Sequence, residues 1–253
     1  MLHMQFKTEI LKIKNNFILW LIAAAAFLVP LLTTLDFIEH AKEVMDAHMN
    51  PWPDFWKEAL KGFTVFSGPL VIIMVTSMYI NIEHKYHAWK YLLTLPQKKS
   101  TIYFNKLGMN LLLLSLLYGL FLLFFFFDGI LLGFVYPPMG FLHYLPDFGL
   151  IFYMAFRTLI AFLGILAIHF WLSIRVKNVF INIGVGLFCI CIAIMLYRKM
   201  EKAIYYPYID GLLTVFYKYP QQGFLAKNEI YSGCVFLFTS FLSYFDFTRK
   251  FRG

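Results

Sequence analysis

The sequence predicts an all-helical membrane protein with six transmembrane helices, both termini cytoplasmic, and a short cytoplasmic helix between helices 2 and 3. Three observations predict this. Charged residues make up only 14% of the chain and hydrophobic ones 60%, so a single soluble core could not hide the excess. The apolar residues fall into runs long enough to cross a bilayer, which needs roughly 17–25 of them. The basic residues lie in the short segments between those runs, more of them on one side than on the other.

Residues 17–35 form the first span, entered from a basic stretch with Lys7, Lys12 and Lys14. A cleaved signal peptide is the rival reading, because Ala23, Ala24, Ala25 and Ala26 offer small residues. The run continues well past the usual length of a signal core, which favours a retained helix. Residues 36–61 are polar and acidic, with Trp52 and Trp56 around Pro51 and Pro53. They read as an outer loop closing on an interfacial helix capped by Asp54, with Trp56, Leu60 and Phe63 near one face. The second span covers 63–82 and the third 107–132, the latter interrupted late by Asp128. A loop rich in Pro and aromatics leads to the fourth span at 150–174, which carries Arg157 and His169. Spans five and six cover 179–197 and 231–247, and the whole chain, 1–253, reads as a single transmembrane domain.

With the termini inside, thirteen Lys and Arg lie in the inner segments and eight in the outer ones, which sets the orientation. The net charge of +8 thereby reads as topology and attraction to anionic headgroups, not as nucleic-acid binding. The stretch 203–216 is aromatic and aliphatic but broken by Pro207 and Asp210. It reads either as a re-entrant or interfacial hairpin or as a loop lying on the bilayer.

Cys189, Cys191 and Cys234 all fall within apolar runs and lack metal-site spacing. Glu83-His84-x-x-His87 differs from the zinc-protease pattern, since Glu83 precedes both histidines and no third ligand is apparent. No metal is therefore expected, and no catalytic residue. Arg157 lies deep in a span, where a charge should face a partner or a wet cavity. Asp128 is the partner that the spacing suggests, and the two together are candidates for a substrate path or gate; a structural ion pair is the plainer reading. His169 reads as a packed, hydrogen-bonded side chain more readily than as a proton carrier. Gly184 and Gly186 suit a close helix approach in span five.

The connector between spans two and three is the most specific part of the chain. Tyr86, Trp89, Leu92, Leu93 and Pro96 make an apolar stripe at helical spacing, and Pro96 ends it. Such a helix suits docking in a partner's groove. Lys85, Lys90, Lys98 and Lys99 equally suit rest on the inner leaflet.

The pattern Glu83, Trp89-Lys90-x-Leu92-Leu93-x-x-Pro96, then Ile102 and Lys106, resembles the coupling region of ABC-2 type permeases. The likeness is nearest to the permease subunits of lantibiotic-immunity and bacitracin-resistance transporters. The amphipathic opening Glu9-Ile10-Leu11-Lys12-Ile13-Lys14 is similar as well. The resemblance implies one half of a transmembrane dimer in a bacterial cell membrane, paired with an identical or related permease. It implies a separate ATP-binding subunit that carries the ATP and Mg, docked on Glu83, Trp89, Leu92, Leu93 and Pro96. It further implies export of an antimicrobial peptide or another amphiphile. The chain has no Gly-x-x-x-x-Gly-Lys-[Ser/Thr] loop for phosphates, so no cofactor is expected in it. The alternative is a membrane assembly protein that docks a cytosolic partner other than an ATPase.

Overall fold

Asn16 starts the first long helix. Its side chain accepts the Ile18 N–H at 3.3 Å and satisfies one of the amides that a helix start leaves open. In the computed structural model, which describes residues 2–14, 16–42, 50–86, 89, 98–197, 205–216 and 224–250, every described element is helical. A short helix α1 (Leu2–Lys14) precedes α2 (Phe17–Glu39). Helix α3 (Trp52–Gly62) runs through one widened turn, Phe63–Ser67, into α4 (Gly68–Lys85). Then follow α5 (Lys99–Val135), α6 (Phe148–Ala161), α7 (Leu163–Arg175) and α8 (Val179–Leu196). A 3-10 turn at Pro207–Ile209 leads into the short α9 (Asp210–Phe216), and α10 (Lys227–Lys250) closes the fold.

Six stretches are long and apolar enough to cross a membrane: α2, α3 with α4, α5, α6 with α7, α8 and α10. The chain is a multi-pass membrane protein of six helical spans. One end of the bundle gathers Lys12, Lys14, Lys85, Lys98, Lys99, Lys106, Arg175, Lys177 and Arg249 and is called the basic end below. Helix α5, at about 1.5 Å per residue, is roughly 55 Å long and outruns a hydrocarbon layer of about 30 Å.

The second span differs from the expectation for its start. Trp52, Phe55, Trp56, Ala59 and Leu60 are buried, so α3 packs inside the bundle and is no interfacial helix. Pro51 holds the cap position and Asp54 sits in the first turn, where a negative charge suits the positive end of the helix. The Trp52 indole N–H is shared between the carbonyls of Phe141 and Tyr144, both at 3.0 Å, which ties α3 to the connector after α5. The widened turn follows from Pro69, which has no N–H to give and whose ring crowds the carbonyl four residues back. The Gly68 N–H reaches Phe63 O instead.

Span four is broken at Phe162, and α10 repairs the break. The Ser232 hydroxyl donates to Ala161 O at 2.8 Å and accepts the Gly164 N–H at 3.0 Å. Backbone groups freed inside a membrane need such partners. The Phe162 ring lies against two glycines: an added Cβ would stand 3.0 Å from it at Gly68 and 2.3 Å at Gly211. Of the glycine pair in span five, Gly186 abuts Ile73 and His169, while Gly184 faces open space.

The stretch from Tyr208 to Thr214 is no loop on the surface. Tyr208, Ile209, Asp210, Leu212 and Leu213 are buried, packed against α6, α10, α3 and the widened turn. Pro207 meets Gly164 at the break in span four, and the Tyr208 hydroxyl lies 2.8 Å from His169 Nε2. The segment therefore enters the bundle as a wedge, and its irregular backbone is tolerated because protein surrounds it.

Candidate functional site

At the basic end, α1, α4 and α5 each bring charge to one point. Helix α1 presents Glu9 and Lys12 three residues apart, on adjacent turns of one face. The last turn of α4 brings Glu83, and the second turn of α5 brings Lys106. Lys106 Nζ donates to Glu83 Oε1 at 2.8 Å and lies 3.3 Å from Glu9 Oε2. Lys12 Nζ donates to the same Glu83 oxygen at 2.8 Å and to Glu9 Oε1 at 3.0 Å. The Tyr79 hydroxyl, one turn back on α4, donates to Glu9 Oε2 at 2.6 Å. Two carboxylates thus meet two ammonium groups, and the cluster is neutral as a whole. Lys106 is 2% exposed and Glu83 1%, so little of the attraction is screened by solvent.

Burial alone would raise the Glu9 carboxyl. The charges of Lys106 and Lys12, with the hydrogen bonds from Tyr79 and Lys12, outweigh it and hold Glu9 below the usual carboxylate value. Burial would lower the Lys12 ammonium, and the carboxylates of Glu9 and Glu83 outweigh it and raise it.

Trp89 closes the cluster from outside α4. Lys106 Nζ lies 5.6 Å from its ring centroid and 5.1 Å from that of Tyr79. Both contacts have cation–π geometry. The Trp89 ring also meets Phe247 edge-on at 5.6 Å and His84 at 5.8 Å. The His84 Nε2–H in turn donates to Ser173 O at 2.9 Å, joining α4 to α7. The Tyr103 hydroxyl donates to Ser240 O at 2.7 Å, joining α5 to α10.

Of the docking residues suggested by the sequence, Glu83 and Trp89 come together around Lys106, and both are buried. Leu92, Leu93 and Pro96 lie outside the described residues. Glu9, Lys12, Tyr79 and Phe247 belong to the same cluster without having been singled out as site residues. The signal for Glu9, Lys12 and Lys106 was their presence within the resembling stretches.

The other pair is rearranged. The carboxylate that meets Arg157 is Glu229, not Asp128: Nη2 lies 2.7 Å and Nε 2.8 Å from Glu229 Oε1. Both side chains are at most 2% exposed. Glu229 stands in the first turn of α10 and its other oxygen accepts the Ala226 N–H at 2.8 Å, reaching back to cap its own helix. It is thus fixed in place to receive Arg157 from α6. Asp128 is buried in α5 with no hydrogen bond to Oδ2. Arg157 also lies over the Tyr153 ring at 5.4 Å. The arrangement is an ion pair that joins spans four and six.

Comparison with known sequences bears on what such a bundle does. The sequence model of a family described as ABC-2 family transporter protein matches residues 5–193. The matched range includes Glu9, Lys12, Tyr79, Glu83, Trp89 and Lys106 and ends within α8. No curated protein and no solved structure matches the chain.

Proposed function

The chain belongs to the ABC-2 family of transporter proteins, and from that premise we propose that it is the permease subunit of an exporter driven by a separate ATP-binding subunit. As a family member it is a membrane transport component. In the proposed reading, ATP and Mg reside on the partner, which docks on the connector between α4 and α5 at the cytoplasmic face of a bacterial cell membrane. A second permease, identical or related, completes the pathway. The cargo is an antimicrobial peptide or another amphiphile extruded from the bilayer.

The observation that carries this reading is the buried charge cluster formed by the residues on either side of that connector. The connector springs from Glu83 and returns through Lys106, and those two residues are bonded to each other and to α1. A force applied to the connector therefore passes at once to α1, α4 and α5. Removing any one partner would leave a buried charge unmatched, so the three helices respond as a unit. A docking element needs this stiffness behind it to transmit motion rather than absorb it.

The test is a mild-detergent pull-down of the tagged chain from its host, with mass spectrometry of what accompanies it and crosslinking from position 89. A stoichiometric ABC-type ATPase supports the reading, and a second permease in the same preparation distinguishes a heterodimer from a homodimer. A preparation with no ATPase, and no ATPase crosslink, overturns it in favour of the assembly-protein alternative.

A further inference from the structure

We propose that Asp210 is a proton-binding site: its carboxyl stays in the neutral acid form as long as the 207–216 wedge is seated in the bundle. This inference goes beyond the transport reading and its test needs no ATPase.

Asp210 is 0% exposed, and neither carboxyl oxygen has a hydrogen-bond partner. The amide that could have served it is committed elsewhere. Asn228 Nδ2 donates to the backbone carbonyl of Asp210 at 3.0 Å and to Thr214 Oγ1 at 2.9 Å. The Thr214 hydroxyl donates to that same backbone carbonyl.

The cations on the packed elements are also committed. From α6, Arg157 is bonded to Glu229 of α10, with Tyr153 against its guanidinium. From α3, Lys61 is paired with Glu58. The turn before α9 contributes Tyr206 and Tyr208, whose hydroxyls are bonded to Cys189 O and to His169. Lys227 on α10 is exposed. Among the described residues, then, every facing cation is matched or in solvent, and the charge that acts on Asp210 is the carboxylate of Glu229. An ionised carboxylate there would have no donor and a like charge beside it, which is far costlier than a buried neutral acid.

The proton has a structural consequence. Releasing it to water places an uncompensated charge at the root of α9, and the relief open to the chain is to lift the wedge from between spans four and six. Asp210 then couples the seating of this segment to proton activity at that end of the bundle.

The test uses the full-length chain, purified and reconstituted in lipid nanodiscs, in native form and as Asp210→Asn. Infrared spectra at neutral pH report the carboxylic-acid C=O stretch. A band present in the native protein and missing from Asp210→Asn supports the proposal; no difference overturns it. The second readout is the melting temperature from about pH 5 to about pH 8, above the ordinary carboxylate value. The folded state holds a proton that the unfolded chain releases, so native stability falls with rising pH across this window. Asp210→Asn lacks that loss, and its melting temperature relative to native should climb by a few degrees per pH unit. A flat or falling difference overturns the proposal. Should the Asn variant fail to insert, Asp210→Ser carries both measurements, with the same two outcomes.

Discussion

Lys106 and Glu83 face each other across 2.8 Å at the point where the α4–α5 connector leaves and rejoins the bundle, and neither is more than 2% exposed. The same Glu83 oxygen also accepts from Lys12, so one carboxylate oxygen holds three helices. Lys106→Met should leave Glu9 and Glu83 with a single cation between them and cost about 3 kcal/mol of stability. Thermal unfolding in detergent measures it. A melting temperature equal to native would remove the cluster as the element that unites these helices.

Acid should loosen the same cluster through Glu9. Its folded value is lowered, so its contribution is present above the ordinary carboxylate value and is lost as pH falls through the folded one. The native protein should lose melting temperature over that acidic range, and Glu9→Gln should lose less. Parallel pH profiles for the two proteins would contradict this assignment.

Coupling should depend on the seat of Trp89 as well as on its docking face. Trp89→Ala with Leu93→Ala should abolish transport-stimulated ATPase activity while insertion into the membrane stays intact. Phe247→Ala leaves every proposed docking residue in the sequence, yet it removes the ring against which Trp89 packs. It should reduce the stimulated ATPase rate several-fold with basal hydrolysis unchanged. Full stimulation in both variants would end the docking proposal.

Arg157 and Glu229 separate structural from transport roles by a double substitution. Arg157→Gln strands the buried Glu229 carboxylate and should cost about 3 kcal/mol. Arg157→Met with Glu229→Leu replaces the pair by apolar side chains and should recover most of that loss. Export that recovers together with stability marks the pair as a staple between spans. Export that stays lost in a stable double variant marks Arg157 as part of the path.

Gly211→Ala should be among the harshest small substitutions in the chain. The added Cβ would lie 2.3 Å from the Phe162 ring, an overlap that side-chain adjustment cannot relieve cheaply. A loss of about 2 kcal/mol is expected, with partial rescue by Phe162→Leu. Gly184→Ala meets nothing within 4 Å and should be neutral. Equal melting temperatures for the two alanine variants would argue against the wedge being packed on Phe162.

The six spans were legible because length and apolarity are properties of one segment at a time. Partners across segments were not. Glu229 reads as the tail of a polar connector, since the apolar run begins only at Tyr231, and its role comes from a capping geometry to which hydropathy is blind. Asp128 looked like the partner of Arg157 because spans three and four are consecutive in the chain. The bundle instead sets span four against span six. The wedge at 207–216 is apolar in either of its two sequence readings, and burial by protein cannot be told from contact with lipid on composition alone. The α4–α5 connector stood out for its pattern, whereas the ion cluster formed by the residues on either side of it required α1 to fold back onto two distant helices.

Ser232 holds both ends of the gap in span four, its hydroxyl donating to the Ala161 carbonyl and accepting from the Gly164 N–H. A rod interrupted in this way would normally bend freely. Here the pin of the joint belongs to a neighbouring rod, so a change of angle between α6 and α7 either carries the Ser232 turn of α10 with it or strains the two hydrogen bonds that close the gap. The bend of the fourth span is thereby tied to the position of the sixth.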